Sequence, residues 1–135
     1  KDFAHAPSKV NATTQALKNQ YPNRKLIACL ELHTFSSLNP AFLPEYEGTL
    51  SLADEAIVYL SEHAREIKRM ERIEESVVQT YFKHPNLRVI RDAENLKQAI
   101  LEKSWSNANL LMMSSGTFDG LDLPALGQEM GLLSV

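Results

Sequence analysis

The sequence predicts an open, mostly parallel α/β sheet flanked by helices. Four short apolar runs have the length and near-continuous hydrophobicity of strands that are covered on both faces. A helical segment follows each run, and parallel strands need such crossover connections. The chain has 135 residues, of which 44% are hydrophobic. This size and composition predict a single domain with its own core.

The first half of the chain is predicted to hold one long helix and two strands. Pro7 and Ser8 start the helix, because proline is tolerated in a first turn. Pro22 ends it, since the residue before a proline avoids helical geometry. The elements that follow are strand 25–30, loop 31–39, one or two short helices within 40–51, and strand 56–60.

The second half begins with the longest charged stretch, residues 61–83. Its apolar residues recur at intervals of three and four, which predicts one amphipathic helix with a solvated charged face. These residues are Ile67, Met70, Ile73, Val77, Val78 and Tyr81. Asp92 can cap the next helix. The remaining elements are strand 87–91, a helix with Leu96, Ala99, Ile100 and Trp105 on its buried stripe, strand 109–113, loop 114–120 and a helical segment over 123–133.

Charge and cysteine content exclude several classes of protein. Fourteen Lys and Arg against seventeen Asp and Glu give a net charge of −3, which argues against a nucleic-acid-binding surface. The single cysteine, Cys29, excludes a disulfide framework, and its apolar neighbours predict a buried, inert thiol. No apolar run reaches the roughly 20 residues of a membrane helix, and the N-terminus does not resemble a signal peptide. We therefore expect a cytoplasmic protein without a membrane partner.

Ligands of open parallel sheets bind beyond the carboxyl ends of the strands. Three polar segments are predicted to lie there: residues 2–7, 31–39 and 114–120. The first could receive a ribose or a base, or could simply be a capped turn with a solvated His5. The last could bind a carboxylate or phosphate through its hydroxyls and backbone N–H groups, or could be an ordinary strand-to-helix connection.

The sequence does not contain a self-contained catalytic centre. Glu31 and His33 lie two residues apart at a strand end, but a metal would need further ligands, and a polar loop contact is the favoured interpretation. His63 and His84 are predicted at the surface. No G-x-x-x-x-G-K-[ST] phosphate loop occurs, and no Ser–His–Asp, Cys–His or paired-carboxylate arrangement stands out.

Three motifs nevertheless resemble those of one family, the Mur ligases. Residues 2–10 (DFAHAPSKV) resemble the segment that opens their C-terminal domain. Residues 30–37 (LELHTFSS) resemble a strand-exit loop, and residues 113–121 (MSSGTFDGL) resemble the late Ser/Gly-rich loop, most closely in the murein peptide ligase branch. The resemblance implies a Rossmann-like C-terminal domain of a larger, three-domain ligase. From the missing initiator Met we expect a fragment of a longer protein.

The resemblance also implies a function. A parent enzyme would use ATP and Mg²⁺, held by other domains, to join an amino acid or peptide to UDP-N-acetylmuramate through an acyl phosphate. The closing domain would be inactive alone and would act with its own N-terminal and central domains. Nucleotide contacts are implied for Asp2, Phe3 and His5. Substrate contacts are implied for His33, Thr34, Ser36, Ser114, Ser115, Thr117 and Phe118.

The sequence departs from the family pattern at two places, and three alternative functions remain open. Ala6 stands where the branch often has a second histidine, and the 31–37 loop lacks the arginine that relatives place there. The alternatives are the L-alanine-adding branch, a folate-type relative, and a non-enzymatic α/β binding or regulatory module.

Overall fold

A computed structural model describes residues 6–33, 38–114 and 117–129. Within them, four parallel strands form one sheet in the order β3–β2–β1–β4. The predicted fold class is confirmed, with every described strand pair parallel. The strands are β1 (Lys25–Glu31), β2 (Glu55–Tyr59), β3 (Leu87–Ile90) and β4 (Ala108–Met113).

Helices cover both faces of this sheet. They are α1 (Pro7–Gln20), α2 (Glu62–Lys68), α3 (Glu75–Phe82), α4 (Ala93–Leu101) and α5 (Leu123–Glu129). Two 3-10 turns, Leu43–Tyr46 and Phe118–Gly120, complete the described elements. None of the helices in these described ranges is long and apolar enough to cross a membrane. The predicted last helix extends to residue 133, and residues 130–133 lie outside the described part.

Alternate side chains of β1, one of the two inner strands, enter two separate apolar clusters. Leu26, Ala28 and Leu30 pack on the face covered by α1, α3 and the Leu43–Tyr46 turn. Cys29 packs on the opposite face, beside residues of α4, α5 and the Phe118–Gly120 turn. Because β1 is buried on both faces, its sequence reads as a continuous apolar run. The prediction of a buried Cys29 is confirmed.

Helix α1 runs antiparallel to the strands. Its last turn is fixed by Lys18 Nζ, which donates to the Arg24 carbonyl and to Asp54 Oδ2, both at 2.9 Å. Asp54 immediately precedes β2, so this end of the helix lies at the amino ends of the strands. Fourteen residues span about 21 Å, close to the length of β1. The helix therefore begins at the carboxyl edge of the sheet.

The prediction of one helix over residues 61–83 was wrong. Helix α2 ends where Arg69 adopts a left-handed conformation (φ 53°, ψ 41°), with its N–H on the Arg65 and Glu66 carbonyls. Arginine side chains then take the carbonyls that a continuous helix would use. The Met70 carbonyl accepts from Arg65 at 3.2 Å, and the Ile73 carbonyl accepts from Arg91 at 2.6 Å. Because of this break, the apolar residues of 61–83 do not lie along the face of one helix.

Three further expectations need correction. Ile67, placed on the buried stripe, is 65% exposed because α2 ends before the stripe reaches the core. Trp105 lies beyond the end of α4, where it is half-buried and donates Nε1–H to the Ile100 carbonyl at 2.9 Å. His84, predicted at the surface, is only 6% exposed. Its ring joins the Ala53 carbonyl at 2.7 Å to the Asn86 N–H at 3.0 Å, which satisfies both nitrogens.

Candidate functional site

All four strand ends contribute residues to one open cleft at the carboxyl edge of the sheet. Its volume is about 540 Å³. The lining residues come after β1 (His33), after β2 (Glu62, His63), after β3 (Arg91, Asp92, Ala93) and after β4 (Thr117, Asp119). The structure thus brings together parts of two segments, 31–39 and 114–120, that are far apart in sequence.

Glu31 anchors the segment that follows β4. Its side chain is fully buried at the end of β1, and Oε1 accepts hydrogen bonds from the Ser114 hydroxyl and, at 3.0 Å, from the Phe118 N–H. The second oxygen, Oε2, is buried and accepts no hydrogen bond from the described residues. The sequence predicted a polar loop contact for Glu31. In the structure, its buried side chain instead anchors the segment that follows β4.

The anchored segment is a left-handed turn. Phe118, Asp119 and Gly120 have φ angles of 53°, 55° and 80° in succession. Such a conformation is strained for a bulky residue such as phenylalanine. The Phe118 ring is fully buried beside Tyr59, with ring centroids 5.9 Å apart. Burial of this ring and the bond to Glu31 offset the backbone strain.

Asp119 ties this turn to the end of β2. Its Oδ2 accepts from the Tyr59 hydroxyl at 2.5 Å, and its Oδ1 accepts from the Ser61 hydroxyl at 2.8 Å. Burial and the bond to Asp119 raise the pKa of Tyr59, so this hydroxyl remains a donor. Ser61 also accepts the Ala64 N–H at 2.9 Å and so caps α2. One carboxylate therefore joins two strand exits and a helix start.

This chain is similar to Mur ligases in sequence and in fold. No family model matches the chain. In sequence, 61 residues are 44% identical to UDP-N-acetylmuramate–L-alanine ligase from Ligilactobacillus salivarius, a stretch covering 45% of this chain and 13% of that protein.

Solved structures extend the likeness to the whole chain. A murein peptide ligase from Psychrobacter arcticus matches 100% of this chain and 28% of its own, with 18% identity and a TM-score of 0.72. A domain described as a UDP-N-acetylmuramate:L-alanyl-γ-D-glutamyl-meso-diaminopimelate ligase from Haemophilus ducreyi matches 96% of this chain and 84% of its own, with 23% identity and a TM-score of 0.66. UDP-N-acetylmuramate–alanine ligase from Thermotoga maritima matches 97% of this chain and 25% of its own, with 14% identity and a TM-score of 0.61.

The chain resembles the Mur ligases in sequence and has the fold of their C-terminal domain. The resemblance stated from the sequence motifs is confirmed. The chain spans only about a quarter of the length of the solved ligase chains from Psychrobacter and Thermotoga.

Arg91 is a cleft residue of this Mur ligase-type domain that the sequence analysis missed, because it was counted within a strand. Its side chain is 18% exposed, and Nη1 lies 3.6 Å from Glu62 Oε1. Glu62 is shared with Arg65 at 2.8 Å and Arg72 at 3.5 Å, so it neutralises Arg91 only in part. Burial and the charge of Arg72 lower the pKa of the Arg91 guanidinium, which nevertheless stays charged at neutral pH. The charged character of β3's exit could have signalled this residue.

The predicted nucleotide-binding and substrate-binding residues of the domain fall into three groups. His33 and Thr117 line the cleft. Ser114 and Phe118 are buried, with Ser114 bonded to Glu31 and Phe118 packed in the core. The other predicted residues lie outside the described part of the chain: Asp2, Phe3, His5, Thr34, Ser36 and Ser115. Across residues 6–33, 38–114 and 117–129, no group of three or more His, Cys, Asp or Glu is placed to hold a metal ion.

Proposed function

We propose that the chain is the closing domain of an ATP-dependent ligase of peptidoglycan recycling. The parent enzyme would join the peptide L-Ala-γ-D-Glu-meso-diaminopimelate to UDP-N-acetylmuramate. The observation that carries this proposal is the convergence of all four strand exits on one cleft, in a chain with the Mur ligase C-terminal fold. In parallel α/β sheets this edge is where ligands bind.

The charges of the cleft support a peptide or amino-acid ligand. Arg91 can pair with a carboxylate, and the hydroxyl of Thr117 can donate to one. Asp92 adds a negative charge to the same cleft, which suits an ammonium group. A site with both signs of charge fits the amino and carboxyl groups of a peptide better than it fits a triphosphate. The missing arginine of the 31–37 loop would thus have a counterpart at the exit of β3.

The domain's share of the chemistry would be positioning and exclusion of water. ATP with Mg²⁺ activates the sugar carboxylate in this family, and this chain has no phosphate-binding loop to hold them. The described cleft would instead orient the amine for attack and close over the activated carboxylate. The predicted nucleotide contacts of Asp2, Phe3 and His5 remain part of the proposal. So does the inactivity of the isolated chain.

A second candidate is the ligase branch that adds free L-alanine. It is favoured by the 44% identity over 61 residues to UDP-N-acetylmuramate–L-alanine ligase. The murein peptide branch is supported by the resemblance of residues 113–121 and by the two structural neighbours of that type.

Ligation by the full-length parent tests the proposal. We expect phosphate release that requires ATP, Mg²⁺, UDP-N-acetylmuramate and the tripeptide together, and a product with the mass of the sugar nucleotide plus tripeptide. The isolated chain, as a control, should release no phosphate. A preference for free L-alanine would move the protein to the second branch. Failure of the parent to ligate any amino acid or peptide would favour a binding or regulatory module and would refute the ligase function.

A further inference from the structure

We propose that Asp119 is a positioning residue that preforms the cleft for the incoming amine substrate. It does so by holding the Phe118–Gly120 turn against the start of α2. This inference rests on the proposed function for its kinetic consequence, but its structural part stands on contacts within the chain.

The first support is the pair of hydrogen bonds that Asp119 accepts. The donors are the hydroxyls of Tyr59 and Ser61, at 2.5 Å and 2.8 Å. Both donor residues are buried, whereas the aspartate lies at the edge of the cleft. A charged acceptor makes these bonds stronger than neutral ones. The turn after β4 is therefore fixed to the exit of β2, about 60 residues earlier in the chain.

The second support is the role of Ser61 in helix α2. Its hydroxyl donates to Asp119 and accepts the Ala64 N–H, so a single oxygen serves both the turn and the helix cap. The next two residues, Glu62 and His63, line the cleft. Loss of Asp119 frees the Ser61 hydroxyl to rotate away from its capping position. The disturbance then reaches the cleft lining at Glu62 and His63.

The third support is the backbone of the turn. Asp119 has φ 55° and ψ 36°, a left-handed conformation that Asp and Asn tolerate better than most residues. Phe118 shares this conformation and has no such tolerance. Glu31 holds the Phe118 N–H on one side, and Asp119 holds the hydroxyls of β2 on the other. Each carboxylate thus stabilises a backbone shape that the sequence alone disfavours.

Three substitutions of the same residue separate these contributions. Asp119→Asn keeps the left-handed tolerance and both contacts, because the amide oxygen accepts from Ser61 and the amide nitrogen donates to Tyr59. Asp119→Gly keeps only the backbone tolerance. Asp119→Ala keeps neither.

Tyr59→Phe removes one donor without changing the core ring, and serves if the Asp119 variants fold poorly. Glu66→Ala, at an exposed position of α2 outside the cleft, is the matched control.

Kinetics of the full-length parent give the first readout. We expect Asp119→Gly to raise KM for the amine substrate about tenfold, with KM for ATP and for UDP-N-acetylmuramate unchanged and kcat within a few fold. The amine KM of Asp119→Asn should stay within about twofold of the wild-type value. The amine KM of Tyr59→Phe should lie between those of the Asn and Gly variants. An Asn variant as defective as the Gly variant, but with wild-type exchange at the Ala64 and Phe118 amides, would show that the aspartate charge binds substrate directly and would overturn the proposal. An unchanged amine KM in the Gly variant would also overturn the proposal.

Hydrogen exchange of the folded chain gives a readout that does not depend on ligation. The Ala64 and Phe118 amides should exchange faster in Asp119→Gly than in the wild type, in Asp119→Asn or in Glu66→Ala. Equal protection in all four proteins would refute the positioning role of Asp119 even if the parent is a ligase. Faster exchange in Asp119→Gly, together with a parent that ligates nothing, would support the positioning role and would refute only the proposed function.

Discussion

The Glu31 carboxylate accepts a hydrogen bond from the Phe118 N–H at 3.0 Å, across 87 residues of sequence. The same oxygen accepts from the Ser114 hydroxyl. The exit of the first strand therefore fixes the shape of the exit of the last one. Since β1 and β4 are neighbours in the sheet, one side chain reaches both Ser114 and Phe118.

Replacement of Glu31 should destabilise the domain strongly. In Glu31→Ala, the buried Ser114 hydroxyl and Phe118 N–H lose their shared acceptor, and a cavity is left in the core. We expect a loss of about 2–4 kcal/mol in the free energy of unfolding, measured by urea denaturation. Glu66→Ala, exposed on α2, should change it by about 0.5 kcal/mol or less. Similar effects of the two substitutions would show that Glu31 is not an anchor.

Sequence reasoning found the position of Glu31 but not its role. The strand exit was recognisable, because an apolar run ends there in polar residues. Burial of the carboxylate was not, because it depends on donors from a segment that only tertiary structure brings near. Asp119 was missed for the same reason: its Asp-Gly sequence signals a turn, and its partners Tyr59 and Ser61 follow a different strand.

The thiol of Cys29 should be unreactive in the folded protein. Burial raises its pKa far above the usual range, and the charge of Glu31 raises it further, so the thiolate is scarcely populated. Ellman's reagent at pH 8 should modify the native chain only as fast as the chain unfolds, and should modify the urea-unfolded chain at once. Rapid stoichiometric modification without denaturant would contradict the buried position.

The stabilisation by Asp54 should depend on pH. The Leu26 N–H, at 2.7 Å, and the Lys18 ammonium hold the pKa of this carboxyl below its ordinary value. The contribution is therefore complete above the unfolded pKa, near 4, and is lost as pH falls through the folded pKa. Asp54→Asn should cost about 1 kcal/mol or less at pH 7, because the side chain is 44% exposed. The difference from the wild type should shrink as the pH falls below the unfolded pKa, and a difference that stays constant throughout the acid range would contradict this assignment.

Glycine at position 69 should stabilise the domain. Arg69 ends α2 with φ 53°, a conformation that glycine adopts without steric cost. We expect Arg69→Gly to raise the free energy of unfolding by about 0.5–1 kcal/mol, after the greater chain entropy of glycine is counted. Glu66→Gly, inside the same helix, should lower it by about 1 kcal/mol. A destabilised Arg69→Gly variant would imply that the two helices join in solution.

The helix break shows where periodicity fails as a guide. Residues 61–83 have apolar spacing suited to one helix and contain no glycine or proline. The break is made by Arg65 and Arg91, whose side chains take up carbonyls of residues 70 and 73. Arg91 lies outside this segment, so its contribution to the break leaves no signal within it. Strands β1 to β4, by contrast, were predictable to within about two residues at each end, because their apolar runs are bounded by polar and turn residues.

We propose that the carboxyl edge of the sheet receives the amine substrate. Hydrogen exchange of the full-length parent, with UDP-N-acetylmuramate and a non-hydrolysable ATP analogue, should be compared with and without the tripeptide. We predict new protection around residues 31–33, 61–63, 91–93 and 117–119. The opposite edge, at Lys25, Asp54, Glu55 and Asn86, should not change. Protection confined to that opposite edge, or absent from both, would contradict the account.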